Sequence, residues 1–303
     1  MKTVLVTGAS GFLGRHATVA LRARGFQVHG LSRRPPGDVD YQWQRADLLD
    51  ADAVRRVLDQ VRPTHLLHLA WGTEHGRYWT APANARWVEA SLALWRHFAE
   101  SGGHRGVGAG TCAEYCWDDA VLAGRPVTEG APRAAHSFYG LAKRATFELL
   151  DAYSRSVNLE FAWGRMFFPY GPGDTRPTLI PSVIGALRRG QPARCTHGRQ
   201  LRDFVHIRDV AAAFAAMLDG TVSGPVNIGT GRATSIGDVV TTLGALLGRP
   251  DLIELNAVEA RPDEPAWLVA DIRRLQDEVG VAPMIDLTEG LRETVEWWKL
   301  QTI

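Results

Sequence analysis

The chain has 303 residues, 45% of them hydrophobic, and its 34 Lys plus Arg against 33 Asp plus Glu leave a formal charge of +1. That length points to one large domain, or one domain with a smaller lobe, whose core needs neither disulfide nor metal. Near-neutrality argues against a binder of nucleic-acid backbones, and with no run of 18 clean apolar residues the sequence argues against a membrane anchor.

Taken in order, the elements alternate. Residues 2–7, KTVLVT, read as a buried strand, and 8–14, GASGFLG, as a glycine-rich turn. A helix with Ala17, Val19, Ala20 and Leu21 on its apolar positions ends at Gly25, and 26–31 read as a second strand. Val54, Val57, Leu58 and Val61 mark a helix that stops at Pro63, and 64–70, THLLHLA, read as a third strand. A helix over 82–100, a weaker strand over 105–110, a helix over 138–154 and a strand over 159–166 follow. This alternation predicts an α/β fold, a Rossmann-type doubly wound parallel sheet.

The later chain changes texture. Proline or glycine recurs through 169–198, PVNIG stands at 225–229, and a helix runs from about Ser235 to Leu247. The 249–270 stretch is proline-spaced, and helices around 271–279 and 286–300 finish the chain. The expected organisation is a nucleotide-binding domain over 1–168. A smaller C-terminal substrate-binding lobe covers 169–303, with about 200–230 returning to the main domain.

Cys112, Cys116 and Cys195 form no disulfide scaffold, and no histidine pair stands near them at metal-ligand spacing, so no metal is expected. No signal peptide precedes the first strand, and the expected setting is a reducing cytoplasm. The basic residues include just three lysines, Lys2, Lys143 and Lys299. The interior one therefore stands out from an arginine background.

The glycine turn lies between a strand and a helix, the context a dinucleotide pyrophosphate requires. Gly8, Gly11 and Gly14 permit a tight turn and close backbone approach, with Ser10, Phe12 and Leu13 between them, and the helix N-terminus faces the diphosphate. The end of the second strand selects the dinucleotide. It reads Leu31-Ser32-Arg33-Arg34, without the carboxylate that commonly accepts from the ribose of NAD. Arginine there suits a 2′-phosphate, so NADP(H) is favoured and NAD(H) is the alternative. Asp47, followed by Leu48, is open to two readings, an acceptor for the adenine amino group or a helix cap.

Tyr139 and Lys143 stand one helical turn apart on one face. An ammonium near a phenol favours the phenolate and makes the tyrosine a usable acid or base. Thr111 follows the 105–110 strand, where its hydroxyl overhangs the cofactor crevice.

TGASGFLG at 7–14, HLA at 68–70, GTCAEY at 110–115, YGLAK at 139–143 and RDFVHIRDVA at 202–211 together resemble the extended short-chain dehydrogenase/reductase family, the nucleotide-sugar epimerase, dehydratase and reductase group. The resemblance spans nearly the whole chain. It implies that Thr111, Tyr139 and Lys143 are catalytic and that Leu69, Ala70 and Phe168 join the glycine turn, Tyr139 and Lys143 around the cofactor. In such enzymes the tyrosine exchanges the hydroxyl proton, the lysine holds the nicotinamide ribose, and the threonine binds the reacting oxygen. The C-terminal lobe then holds a nucleoside-diphosphate sugar, with Arg202 and Arg261 facing its diphosphate. His136 and Arg176 are further substrate candidates. Nucleic acid and membrane are not expected partners.

Departures from the family pattern narrow the branch. Dehydratases of the family carry acid and base carboxylates in the two positions after the catalytic Thr; here these are Cys112 and Ala113. Glu114 comes one position later; on a regular strand its side chain points away from that of Ala113, whereas a bend redirects it. Cys112 either contacts the sugar or packs as a small residue. Phe167, Phe168 and Pro169 occupy a stretch where many members carry a sugar-binding Asn, and the two rings either line the pocket or belong to the core. The arginines after the second strand fit a net consumer of NADPH better than a 4-epimerase that recycles bound NAD. GTCAEYCW with YGLAK resembles reductases of nucleoside-diphosphate-4-keto-6-deoxyhexoses. The expected activity is that 4-ketoreduction, with a nucleotide-sugar 4-epimerase and a non-catalytic NADP-binding protein as alternatives. The resemblance also implies a homodimer through the helices at about 86–100 and 138–154. Trp87, Leu94, Trp95 and Phe98 then face either the partner or the sheet.

Overall fold

The structure is a computed structural model and describes residues 2–74, 76–122, 124–261 and 264–301. β1 (Thr3–Thr7) leads into α1 (Phe12–Ala23), and β2 (Gln27–Ser32) and the short β3 (Gln42–Arg45) follow. Next come α2 (Ala51–Val61), β4 (His65–His68), α3 (Ala83–Glu100) and β5 (Arg105–Thr111). A 3-10 turn (Cys112–Glu114) and α4 (Asp119–Leu122) carry the chain to α5 (Phe138–Ser156), β6 (Glu160–Met166) and β7 (Phe168–Tyr170). The remaining elements are α6 (Leu179–Arg188), β8 (Ala193–Arg194), β9 (Leu201–Arg202), β10 (Phe204–His206), α7 (Ile207–Asp219), β11 (Gly224–Ile228), β12 (Thr234–Ser235) and α8 (Ile236–Leu246), then a second 3-10 turn (Pro250–Leu252), β13 (Ile253–Glu254), β14 (Trp267–Leu268), α9 (Arg273–Asp277) and α10 (Leu287–Lys299).

Seven strands form one sheet in the order β11-β6-β5-β4-β1-β2-β3, and every neighbouring pair is parallel. Both faces are covered, which is why the central strands read as continuous apolar runs. On one face α1 and α7 pack through Ala17, Leu21, Val210 and Phe214. On the other, α2, α3 and α5 supply Leu58, Leu94, Trp95, Phe98 and Leu150. Leu94, Trp95 and Phe98 thus face the sheet, and Trp87 is half-buried against the same core. The fold is the expected Rossmann-type doubly wound sheet. Strand order reverses between β1 and β4, where such sheets open a crevice at the carboxyl ends of the strands.

Helices α6, α8 and α10 pack around Ile184, Val239, Val240, Leu243 and Leu291 beside the sheet. Small sheets β10-β7, β12-β9-β14 and β13-β8 connect them to the rest. β11 pairs with β6 in the main sheet, so the chain returns there after β7 to β10. No described helix is long and apolar enough to cross a membrane.

Candidate active site

A cavity of about 430 Å³ opens at the carboxyl ends of β1, β4 and β5. Its floor is the glycine turn. Gly8 takes φ +72°, and a side chain there would stand 2.9 Å from Ala70 N. A Cβ on Gly14 would come within 2.1 Å of the Gly8 carbonyl, so α1 seats on the turn only because Gly14 has none. The N-cap of α1, Gly11, makes no side-chain cap, which leaves first-turn N–H groups for an anionic ligand. The residues present therefore fit a dinucleotide pyrophosphate.

Thr7 and His68 fix the two strand ends that flank the turn. The Thr7 hydroxyl is 2.8 Å from His68 Nδ1 and accepts from Ala70 N at 3.2 Å. His68 Nε2 lies 2.9 Å from the Ser91 hydroxyl. Burial pushes the His68 imidazole down to about 3, with the charge of Lys143 acting the same way. It is a neutral hydrogen-bonding strut.

Helix α5 is capped by Ser137, whose hydroxyl accepts from Gly140 N at 3.1 Å. A Cβ on Gly140 would stand 2.2 Å from the Ala113 carbonyl. That contact presses the start of α5 against the 3-10 turn and brings Tyr139 to Thr111. Tyr139 and Lys143 are both buried and both line the cavity with Thr111. Burial is the largest influence on Tyr139 and holds its phenol above the ordinary value. Neighbouring Tyr78 adds to that, and a hydrogen bond with Thr111 opposes it. Burial also pushes the Lys143 ammonium down to about 7, against the pull of Glu114. The phenol lowered by its lysine neighbour, expected from the i,i+4 spacing, is thus corrected: desolvation dominates both groups. Lys143 Nζ donates to the Ala109 carbonyl at 2.9 Å and lies 3.9 Å from the Trp71 ring centroid.

Gly8, Gly11, Phe12, Leu13 and Gly14 line the cavity, as do Leu69, Ala70 and Phe168. Ser10, Ser32, Arg33, Arg34, Asp47 and Leu48 are not among its lining residues. Ser32 ends β2, and its hydroxyl accepts from Trp43 Nε1 at 3.0 Å and donates to the Arg34 carbonyl at 2.7 Å. That bond shapes the loop on which Arg33 and Arg34 stand exposed. Asp47 accepts from Leu49 N at 3.0 Å, whereas the N-cap of α2 is Asp50.

Cys112 and Arg176 line the cavity too. Cys112 also packs with Tyr115, Val127 and Phe167, and burial pushes its thiol up to about 12. Cys112 is a small packed residue with one side on the cavity. Arg176 is fixed by two bonds to Asp174, at 2.8 and 2.9 Å, and lies over the Phe12 ring. The structure does not bring His136, Arg202 or Arg261 to the cavity wall. His136 lies against the Trp117 ring, with centroids 4.6 Å apart. Arg202 is buried and donates to Glu264 at 2.9 Å, so its charge is already matched inside the chain. Arg261 is exposed.

The sequence motifs missed the aromatic wall. The rings of Trp71, Tyr78 and Trp79 stand edge-on to Tyr139 at centroid distances of 6.3, 4.9 and 5.7 Å. The Trp79 carbonyl accepts from Tyr139 N at 3.0 Å, which ties this loop to the start of α5. The available signal was three large aromatics within nine residues directly after HLA.

A family model described as the NAD dependent epimerase/dehydratase family matches residues 4–229. The chain is 25% identical to the dTDP-glucose 4,6-dehydratase of Xanthomonas campestris pv. campestris, covering 98% of this chain and 93% of that one. It is 26% identical to the CDP-abequose synthase of Salmonella typhimurium, with 97% of each covered. Among solved structures it is similar to MoeE5 in complex with UDP-glucose and NAD, at 31% identity, a TM-score of 0.84 and 98% of each chain. It is also similar to the Thermus thermophilus UDP-glucose 4-epimerase in complex with NAD, at 25% identity, a TM-score of 0.84 and 99% and 100% of the two chains. With the parallel sheet, the glycine cradle and the Thr-Tyr-Lys cluster already in place, these matches make the chain a member of the NAD dependent epimerase/dehydratase family, within the extended short-chain dehydrogenase/reductase group of nucleotide-sugar enzymes.

Proposed function

We propose that the chain is an NADPH-dependent reductase of the 4-keto group of a nucleoside-diphosphate-4-keto-6-deoxyhexose. The observation that carries this reading is the chemistry of the cavity wall. Among the described residues lining it there is no carboxylate, amide or imidazole. Elimination of water needs a further acid and base, and a fully hydroxylated hexose is best gripped by carboxylates and amides. A phenol, a threonine hydroxyl and aromatic rings suit a carbonyl beside a methyl-bearing, hydroxyl-poor sugar.

The two positions after Thr111 are Cys112 and Ala113, and Glu114 is spent on a buried ion pair with Arg165. This speaks against dehydration, whatever the activity of the dehydratase relatives. In the proposed reaction Thr111 donates to the carbonyl oxygen and aligns it. The hydride that reduces the carbonyl carbon comes from the reduced nicotinamide. Tyr139 gives the phenolic proton to the oxygen, and Lys143 holds the nicotinamide ribose. Arg176, in the wall, is the best placed of the proposed diphosphate contacts; Arg202 and Arg261 serve only if Glu264 releases the former and the latter swings in.

The preference for NADP(H) rests on Arg33 and Arg34, which the Ser32 bond presents at the end of β2. The lobe of 169–303 is proposed as the sugar-nucleotide side. A homodimer is proposed through the outer face of α5, where Phe138, Leu141 and Leu149 are exposed. The second reading, a nucleotide-sugar 4-epimerase using NAD(P), is favoured by the likeness to the UDP-glucose 4-epimerase bound to NAD. NADPH consumption with 4-keto-6-deoxy sugar nucleotides tests the first reading; interconversion of sugars without net cofactor use supports the second.

A further inference from the structure

Glu114 is a fully buried carboxylate that the proposed reaction leaves unused. The chain turns at Cys112 into a 3-10 turn, and this brings the Glu114 side chain back beneath Thr111. Its Oε1 accepts from the Thr111 backbone N–H at 2.9 Å and from Trp163 Nε1 at 2.9 Å. Its Oε2 accepts from Arg165 Nε at 2.7 Å, and both side chains of the pair are 0% exposed. Arg165 Nη1 donates to the Tyr115 hydroxyl at 3.1 Å and to the Glu129 carbonyl at 3.2 Å. Tyr115 donates to Asn227 Oδ1 at 2.6 Å. One network therefore ties the end of β5 to β6 and β11.

Packing alone does not call for such a pair. Desolvating two charges costs several kcal/mol, and apolar residues of the same volume are often as stable or more so. What the pair adds is placement and charge beside the Thr-Tyr-Lys cluster. We propose that Glu114, clamped by Arg165, is a positioning residue: it fixes the backbone that carries the Thr111 hydroxyl and supplies a buried negative charge to both Tyr139 and Lys143. The proposal rests on the assignment of those three residues as the reacting cluster, and holds for any carbonyl substrate they take.

The other groups facing the cluster do not supply that charge. Lys143 faces the Ala109 carbonyl of β5, the Trp71 ring after β4, the Trp163 ring of β6 and His68 of β4. His68 is neutral, with both ring nitrogens engaged. Tyr139 faces Tyr78, Thr111 and Cys112, and Arg176, whose charge is matched by Asp174. Burial pushes the Tyr78 phenol up to about 12 and the Cys112 thiol up to about 12, so both are uncharged near neutrality. Among the described residues Glu114 is the anion acting on both members of the cluster.

The chain's three lysines make the test direct. Isotope-labelled lysine gives an NMR spectrum of three side-chain signals, and Lys143→Met identifies the one of interest. In the unaltered protein burial pushes Lys143 down to about 7, well below the ordinary lysine value of about 10.4. Glu114→Gln keeps an acceptor for Thr111 but removes the charge. The Lys143 midpoint is expected to fall by about one pH unit or more. The alkaline limb of ketosugar reduction should move with it, with a lower kcat and an unchanged KM for NADPH. Because that variant leaves Arg165 unpaired, Glu114→Gln with Arg165→Met is measured in parallel, and the same downward movement is expected. A Lys143 midpoint that stays put in either folded variant overturns the charge role, and an unchanged kcat overturns the positioning role. A shifted midpoint with no ketosugar turned over, even by the unaltered protein, supports the charge role and counts against the reduction reading alone.

Discussion

The Lys143 ammonium lies against the face of Trp71, 3.9 Å from its ring centroid, and the same nitrogen donates to the Ala109 carbonyl. A desolvated contact of this kind is worth about 2 kcal/mol. The indole is itself held: Trp71 Nε1 donates to Asn84 Oδ1 at 2.9 Å, and Asn84 Nδ2 donates to the Tyr78 carbonyl at 2.7 Å. The single interior lysine is thus set by α3 and the aromatic loop as well as by its own helix. Arginine would not serve there, because its charge spreads over a wider planar group with fixed bonding directions.

Replacing Tyr139 by Phe removes the phenolic proton and leaves the packing of the ring. Reduction of the ketosugar should fall by about 10²–10⁴-fold, while NADPH binding, followed by fluorescence titration, stays the same. Undiminished turnover in that variant would remove Tyr139 from the reaction.

Arg33→Ala with Arg34→Ala removes the charges offered to a 2′-phosphate. NADPH affinity should weaken about tenfold or more, while NADH affinity is unchanged. Equal losses for both dinucleotides would mean that the loop supports the adenosine without distinguishing the phosphate.

His68 gives a stability prediction with a definite sign. Its imidazole is held down at about 3 in the fold, whereas the unfolded chain titrates near 6.5. Between these values the unfolded state binds a proton that the folded state does not. Stability is therefore lost as pH falls from about 6.5 toward 3, with a slope of up to about 1.4 kcal/mol per pH unit from this group. His206, pushed down to about 4 by burial, acts in the same direction. Urea unfolding at a series of pH values should show His68→Leu less stable at pH 7, through its lost bonds to Thr7 and Ser91, but with a shallower acid slope. An unchanged slope would mean that His68 is not the buried neutral group described.

The α5 surface gives an assembly prediction. Leu141→Glu with Leu149→Glu places charges on the exposed apolar stripe, and light scattering should find a dimer turned monomeric, with the fold retained by circular dichroism. A monomer before substitution would dismiss the proposed interface.

The parts of the fold that could be read from the sequence were those with a clear period or punctuation. The strand-turn-helix at 2–23 and the pairing of Tyr139 with Lys143 follow from spacing and glycine alone. Helix α7 gave no such signal, because Ile207, Val210, Ala211, Phe214 and Met217 are buried along with Ala213, Ala215 and Leu218. A helix covered on nearly all sides has no polar stripe to reveal its period. Pro181 and Gly185 hid α6 in a stretch that read as irregular, and β3 is a four-residue edge strand of largely polar side chains. The direction of Glu114 stays open in the sequence, because it depends on whether the chain bends past Thr111, and the 3-10 turn there decides it. Arg202 lies off the cavity because its side chain is taken up by a long-range contact, the bond to Glu264, 62 positions away, and Arg261 stands exposed.

Net reduction at the sugar carbonyl is tested most directly by incubating the protein with NADPH and a panel of nucleoside-diphosphate-4-keto-6-deoxyhexoses, following absorbance and the proton NMR spectrum of the products. The predicted result is one NADPH consumed per 4-hydroxy sugar formed, with a single configuration at C4. Interconversion of sugar nucleotides with no net loss of NADPH would contradict it.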